Sequence, residues 1–501
     1  MVFPDPLPLV PFPVSVQRLD GTLPLPATAR IAGDDALTAL LRDDLAARTG
    51  LVLGTAGTAS AGDIEVHIDS AVSHDEGYAL TVTDRIRIVG HDAAGAYFGT
   101  RTLLQLVQAD GDAWSVPRLE IEDAPRFAYR GVMLDVARHF FDVDAVKRWI
   151  DRASDLKANT LHLHLTDDQG WRLHIDAWPL LTERGAATSA LGDPGGFYTK
   201  DDIREIVTHA ARRHMIVVPE IDLPGHTHAI GLAYPELVEP PVMNDALRAD
   251  AERLGQPLPV AGEPYLGWGV GHSSVRIGDE RVYEFVADVL DETAALFPGP
   301  YLHIGGDECL GTDPADFAAF IARATRIAAD TGKTPVAWHE AGAVADVAPG
   351  TVGQYWGALD PSEAHAADAA HFVAREGALI LSPSDAAYLD MKPSADFPLG
   401  LTWAGVVDLH RAYGWDPATV VDGIDDSAIL GVEAPLWTET VRTPEDADRL
   451  AFPRAAAIAE IAWSSPDGPE REWASFRDRV ARLAPAWKTA GIRFTPIEEI
   501  A

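Results

Sequence analysis

From about residue 127 the chain repeats strand, loop and helix, and no other feature of its 501 residues constrains the fold as much. Apolar runs at 131–136, 160–166, 216–221, 301–305, 334–338, 352–355, 378–381 and 429–432 read as strands. Helical periodicity lies between most of them, at 143–157, 200–214, 280–297 and 316–330. Eight such units at this spacing predict a (β/α)8 barrel, an α/β fold whose interior is packed and whose chemistry sits beyond the carboxyl ends of the strands. Those ends carry the chain's chemically useful residues. In order they are Asp135 with Arg138, Asp167-Asp168, Glu220 with Asp222 and His226, Asp307-Glu308, Trp338 with Glu340, Trp356, Tyr388 with Asp390, and Trp437 with Glu439.

Residues 1–122 read differently, as a small α+β domain preceding a barrel at 127–501. Residues 64–68, 78–82 and 85–89 alternate like half-buried strands. Residues 34–48 form a helix closed by Gly50, 94–108 form a second, and 121–126 read as the exit linker. A Pro- and Gly-rich insertion at 234–268 follows the third barrel strand, and loops of that length are usually functional or mobile.

Charge and cysteine content exclude whole classes. A net charge of −36 repels phosphate backbones, which argues against nucleic-acid binding. The single cysteine, Cys309, rules out an internal disulfide and thiolate metal clusters. No apolar run is long enough for a membrane span. Met1–Asp5 shows no basic and apolar leader, so the expected location is the cytoplasm, or outside the cell if a leader has been removed.

Carboxylates with several Trp and Tyr suit a sugar, because flat rings cover its C–H faces while carboxylates and Arg bind its hydroxyls. Glycoside cleavage needs a proton donor and a nucleophile or base. Asp307 and Glu308 are the strongest candidates, but as chain neighbours they are expected to point apart and not to flank one bond. They suffice if the substrate brings its own nucleophile.

Four motifs then become recognisable: LHLHLTDDQGWR at 161–172, VVPEIDLPGHT at 217–227, HIGGDE at 303–308 and APLWTET at 434–440. With them the chain resembles glycoside hydrolase family 20, the β-N-acetylhexosaminidases, in its bacterial two-domain form and over nearly its whole length. The resemblance implies an exo-acting, retaining hydrolase of terminal N-acetylhexosamine, working through an oxazolinium intermediate without a cofactor or metal. It implies Glu308 as general acid and base, Asp307 as the group holding the acetamido N–H, and Tyr388 as donor to the acetamido oxygen. Trp338, Trp356 and Trp437 would wall the pocket. Arg138, Asp390 and Glu439 would bind the sugar hydroxyls, and Asp167 with His226 would tune Glu308. Glu308 should then have a raised pKa, and Asp307 should stay ionised.

Duller readings stand beside these. Trp171, Trp268, Trp403 and Trp463 serve equally as core or pocket. His162 and His164 read as hydrogen-bonded barrel histidines, Asp168 as a loop-orienting group, and Cys309 as inert packing unless its thiol borders the site. Two other functions fit part of the pattern. One is a metal-dependent amidohydrolase using His162, His164, His226, His228, Asp307 and Glu308. The other is a sugar-binding protein that has lost catalysis.

Overall fold

The computed structural model describes residues 6–111 and 113–499. Met1–Asp5, where a leader was sought, lie outside the described residues. Eight parallel strands close into a barrel: Tyr129–Asp135, Thr160–His164, Ile216–Glu220, Tyr301–His303, Thr334–Trp338, Val352–Tyr355, Leu379–Leu381 and Ile429–Leu436. The last pairs with the first in register from Gly431 opposite Tyr129 to Leu436 opposite Leu134. Helices follow most strands and bury their apolar faces on the barrel, forming one continuous core. Their starts are written in the sequence. Asp142 accepts from the Ala145 N–H at the start of Val143–Asp155. Thr199 and Asp202 close a reciprocal cap at Lys200–Arg212.

The small domain is an eight-stranded sheet carrying the helices Asp35–Thr49 and Ala93–Leu106. Gly50 ends the first helix in the left-handed region, φ 76°, as its sequence predicts. Two expectations are corrected here. The stretch 121–126 is not all linker, because Ala113–Asp123 is a strand paired on both sides, to Ser15–Pro24 and to Tyr78–Val82. The insertion at 234–268 also contains a helix, Asp245–Leu254, with Asn244 capping its start and Gly255 its end.

The two units share a buried seam. Trp463, from a late barrel helix, packs in the small domain's core, 5.4 Å from the ring of Phe98. Its indole N–H donates to Asp123 Oδ1, and Lys157 Nζ donates to Asp123 Oδ2 at 2.8 Å. Among the described residues, no helix is long and apolar enough to cross a membrane.

Candidate active site

The fourth strand ends at His303, and the next five residues leave strand geometry to present Asp307 and Glu308. Gly305 and Gly306 take φ 70° and 102°, and Glu308 itself takes φ 46°. A Cβ at Gly305 would lie 1.7 Å from Asp222 Oδ1, so only glycine fits there. The same Asp222 oxygen accepts from the Gly306 N–H, fixing the turn to the loop after the third strand.

This backbone overturns the expectation that Asp307 and Glu308 point apart. Strand alternation no longer applies, and both carboxylates face one imidazole: His226 Nε2 lies 3.7 Å from Asp307 Oδ2 and 3.6 Å from Glu308 Oε2. His226 Nδ1 sits 3.2 Å from Asp167 Oδ1. Asp167 also meets Arg138 at 2.8 Å and His164 Nε2 at 2.9 Å. Arg138 in turn lies over the ring of Trp437, 4.8 Å from its centroid. Asp135 holds the Arg138 loop to the eighth strand by accepting from the backbone N–H groups of Ala137, Arg138 and Thr438.

Beneath this line Glu220 acts as a junction. It meets His164 Nδ1 at 2.6 Å and His162 Nε2 at 3.0 Å, and accepts the Trp338 indole N–H at 2.8 Å. Burial would raise the Glu220 carboxyl, but His164, His303 and His162 hold it well below the usual range. The reciprocal pull outweighs burial at His162 and His164, raising both to about 10. Both histidines face carboxylates at each ring nitrogen, His162 meeting Glu433 at 2.9 Å, and both stay protonated at neutral pH. They are structural barrel residues, as the duller reading had it.

Burial pushes Glu308 up to about 7, with His226 and Arg138 opposing and Asp307 reinforcing. Asp307 is raised as well. The cause is again burial. The opposing influence is His226, whose proton is held, against burial, by Asp167, Asp222 and Asp307.

The remaining expected residues converge on the same face. Trp338 is fully buried, Tyr388 and Trp437 are nearly so, and Trp356 is half-buried. The rings of Trp338 and Trp437 lie 5.9 Å apart, and those of Tyr388 and Trp437 6.2 Å apart. Both carboxylate oxygens of Asp390, Glu439 Oε2 and Asp307 Oδ1 are buried with no side-chain partner. Of the undecided tryptophans, Trp171 and Trp463 are core, Trp268 is half-buried, and Trp403 is 55% exposed with its edge on Trp356 and Tyr388. Asp168 orients loops, accepting from His228 N–H and the Ser273 hydroxyl. The Cys309 thiol donates to the Asp307 carbonyl at 3.2 Å, and burial keeps it a neutral thiol. Sequence reasoning missed Glu433, which joins His162, Tyr129 and Gln354. Its signal was a lone carboxylate within an apolar strand.

A closed parallel barrel that gathers carboxylates, an arginine and aromatic rings at its carboxyl end is the layout of a glycoside hydrolase. The model of the glycosyl hydrolase family 20 catalytic domain matches residues 127–315 and 312–466, and that of the family's domain 2 matches residues 7–124. The chain therefore belongs to glycosyl hydrolase family 20. It is 42% identical over 425 residues to a beta-N-acetylhexosaminidase of Cellulomonas fimi, covering 84% of this chain and 80% of that protein. It also resembles the solved structure of a family 20 beta-N-acetylglucosaminidase, with a TM-score of 0.91, 52% identity, and 98% of this chain and 99% of that one covered. The Streptomyces plicatus N-acetyl-beta-hexosaminidase, solved with Thio-NAglucal, has a TM-score of 0.91 and 42% identity, with 100% and 99% covered. The protein is a glycoside hydrolase of the β-hexosaminidase type.

Proposed function

We propose that this enzyme is an exo-acting, retaining β-N-acetylhexosaminidase that removes terminal non-reducing N-acetylglucosamine or N-acetylgalactosamine by substrate-assisted catalysis. The observation that carries the reading is the pair of neighbouring carboxylates on one imidazole. Both are engaged at His226, which suits one as proton donor and the other as orienting group, with the substrate's acetamido oxygen as nucleophile. Glu308, poised near 7, protonates the leaving oxygen and then deprotonates water. Asp307 receives the acetamido N–H and stabilises the oxazolinium charge, and Tyr388 donates to the acetamido oxygen. Trp338, Trp356 and Trp437 enclose the acetyl group. Arg138, Asp390 and Glu439 take the ring hydroxyls, the last two through oxygens that lack side-chain partners. Asp167 and His226 support Glu308. Holding the acetamide against the anomeric carbon makes the attack intramolecular, worth up to roughly 7–11 kcal/mol.

The same proposal divides the chain into the small domain, 1–122, and the catalytic barrel, 127–501. The substrates are oligosaccharides or glycoconjugates ending in N-acetylhexosamine, such as chitin fragments, and the chemistry calls on no cofactor. Proton NMR of a hydrolysed aryl β-N-acetylglucosaminide is expected to show the β-anomer first, and fluorination of the N-acetyl group should slow turnover progressively. Trapping a covalent glycosyl ester on any Asp or Glu would overturn the mechanism.

A further inference from the structure

Glu340 has no part in the reading above, yet it stands among the site's residues. It lies on the short turn His339–Ala343 that follows the fifth strand, with its side chain 28% exposed. Its Oε2 accepts the indole N–H of Trp356 at 2.9 Å. The titratable groups facing it are Asp307 and Glu308, Tyr388, the Cys309 thiol, and His339, whose Nδ1 lies 3.3 Å from the same oxygen. Burial drives the His339 ring down to about 3, so that contact brings no positive charge. The Trp356 ring also packs against the barrel core and meets the rings of His339 at 5.5 Å and Trp403 at 5.9 Å.

We propose that Glu340 is a positioning and specificity-determining residue, which fixes the rotation of the Trp356 indole and thereby limits the size of the N-acyl group that the pocket admits. The inference rests on the reading of Trp356 as a wall of the acetamido pocket. An indole has one polar atom, so the acceptor that meets it selects among the rotations about the Cβ–Cγ bond that packing allows. Burial, reinforced by Asp307, pushes the Glu340 carboxyl well up. It accepts from the indole through one oxygen, Oε2. A carboxamide can do the same. The role is therefore one of geometry and not of charge, and this separates it from the acid–base pair.

The test is a ladder of aryl 2-acetamido, 2-propionamido and 2-butyramido β-glucosides, assayed with wild type, Glu340→Gln and Glu340→Ala. For the wild type, kcat/KM should fall roughly 10–200-fold per added methylene. Glu340→Gln should keep that ladder. Glu340→Ala should flatten it about tenfold per step, mainly through lower KM for the longer acyl groups. Glu340→Asp withdraws the acceptor without emptying the position, so it gives the same test if the alanine variant does not fold. An unchanged ladder in Glu340→Ala or Glu340→Asp, or a flattened one in Glu340→Gln, overturns the proposal. Failure of the wild type to cleave the acetamido substrate overturns the reading of the site itself.

Discussion

Asp123, at the seam between the two units, and Asp390, at the mouth of the barrel, are almost equally hidden, at 5% and 1% exposed. They differ in what meets them. Asp123 receives the backbone N–H groups of Val14 and Ala124, the Trp463 indole, the Tyr78 hydroxyl and the Lys157 ammonium. Lys157 also lies 4.4 Å from the centroid of the Trp463 ring. Asp390 meets no side-chain partner, and burial, reinforced by Glu439 and opposed by the backbone N–H groups of Asp390 and Trp437, drives its carboxyl well up. Burial alone therefore does not separate a structural carboxylate from a binding one. What sets Asp390 apart is unmet side-chain hydrogen bonding at the mouth of the barrel, because a buried polar group without a partner costs stability unless something else recovers the cost.

That contrast can be broken by substitution. The largest effect is expected for Glu308→Gln, which should lower kcat on an aryl N-acetylglucosaminide by roughly 10²–10⁴-fold with the melting temperature unchanged. Residual turnover near wild type would remove Glu308 from the acid role. Lys157→Met should do the reverse, costing about 3–5 kcal/mol in thermal unfolding by stranding Asp123, while the folded enzyme keeps its kcat/KM. A loss of activity without loss of stability would show that the seam serves the chemistry. Asp390→Asn should lower kcat/KM by roughly 10–100-fold, the worth of one charged hydrogen bond, and leave stability equal or higher. If it destabilised the protein instead, Asp390 would belong with Asp123.

The smallest effect sharpens the electrostatics. Burial raises Glu308 above the ordinary carboxyl value to about 7, so the working acid is present below that pH. It is lost as pH rises through it, and kcat/KM should then fall about tenfold per pH unit. His226 pulls the Glu308 carboxyl down. His226→Asn should therefore move this limb upward, and a downward shift would contradict the assigned sign.

What the sequence disclosed follows the same division. Barrel strands buried on both faces are largely apolar runs that stop at polar clusters, so all eight strands could be located from the sequence, although Glu433 within the last was missed. The small domain's long strands could not. Ser15–Pro24 is mostly exposed, pairs on one side only and slips register between Arg18 and Thr22, so it has no alternation to find. Ala113–Asp123 carries Pro117 and ends in acids, and its tail read as linker. The helix Asp245–Leu254 was obscured by Pro and Gly around it, although Asn244 and Gly255 marked both of its ends. The shared orientation of Asp307 and Glu308 depends on positive φ at Gly305, Gly306 and Glu308, which no spacing rule encodes.

The bond from the Trp463 indole to Asp123 joins residues 340 positions apart. At typical synthesis speeds of about 5–20 residues per second, the ribosome needs on the order of 20–70 s to make that intervening chain. For that interval the first domain has left the exit tunnel without the ring that completes its core. Asp123 has its partners from Val14, Tyr78, Ala124 and Lys157 early, but the core keeps a gap where the ring belongs until that late helix emerges.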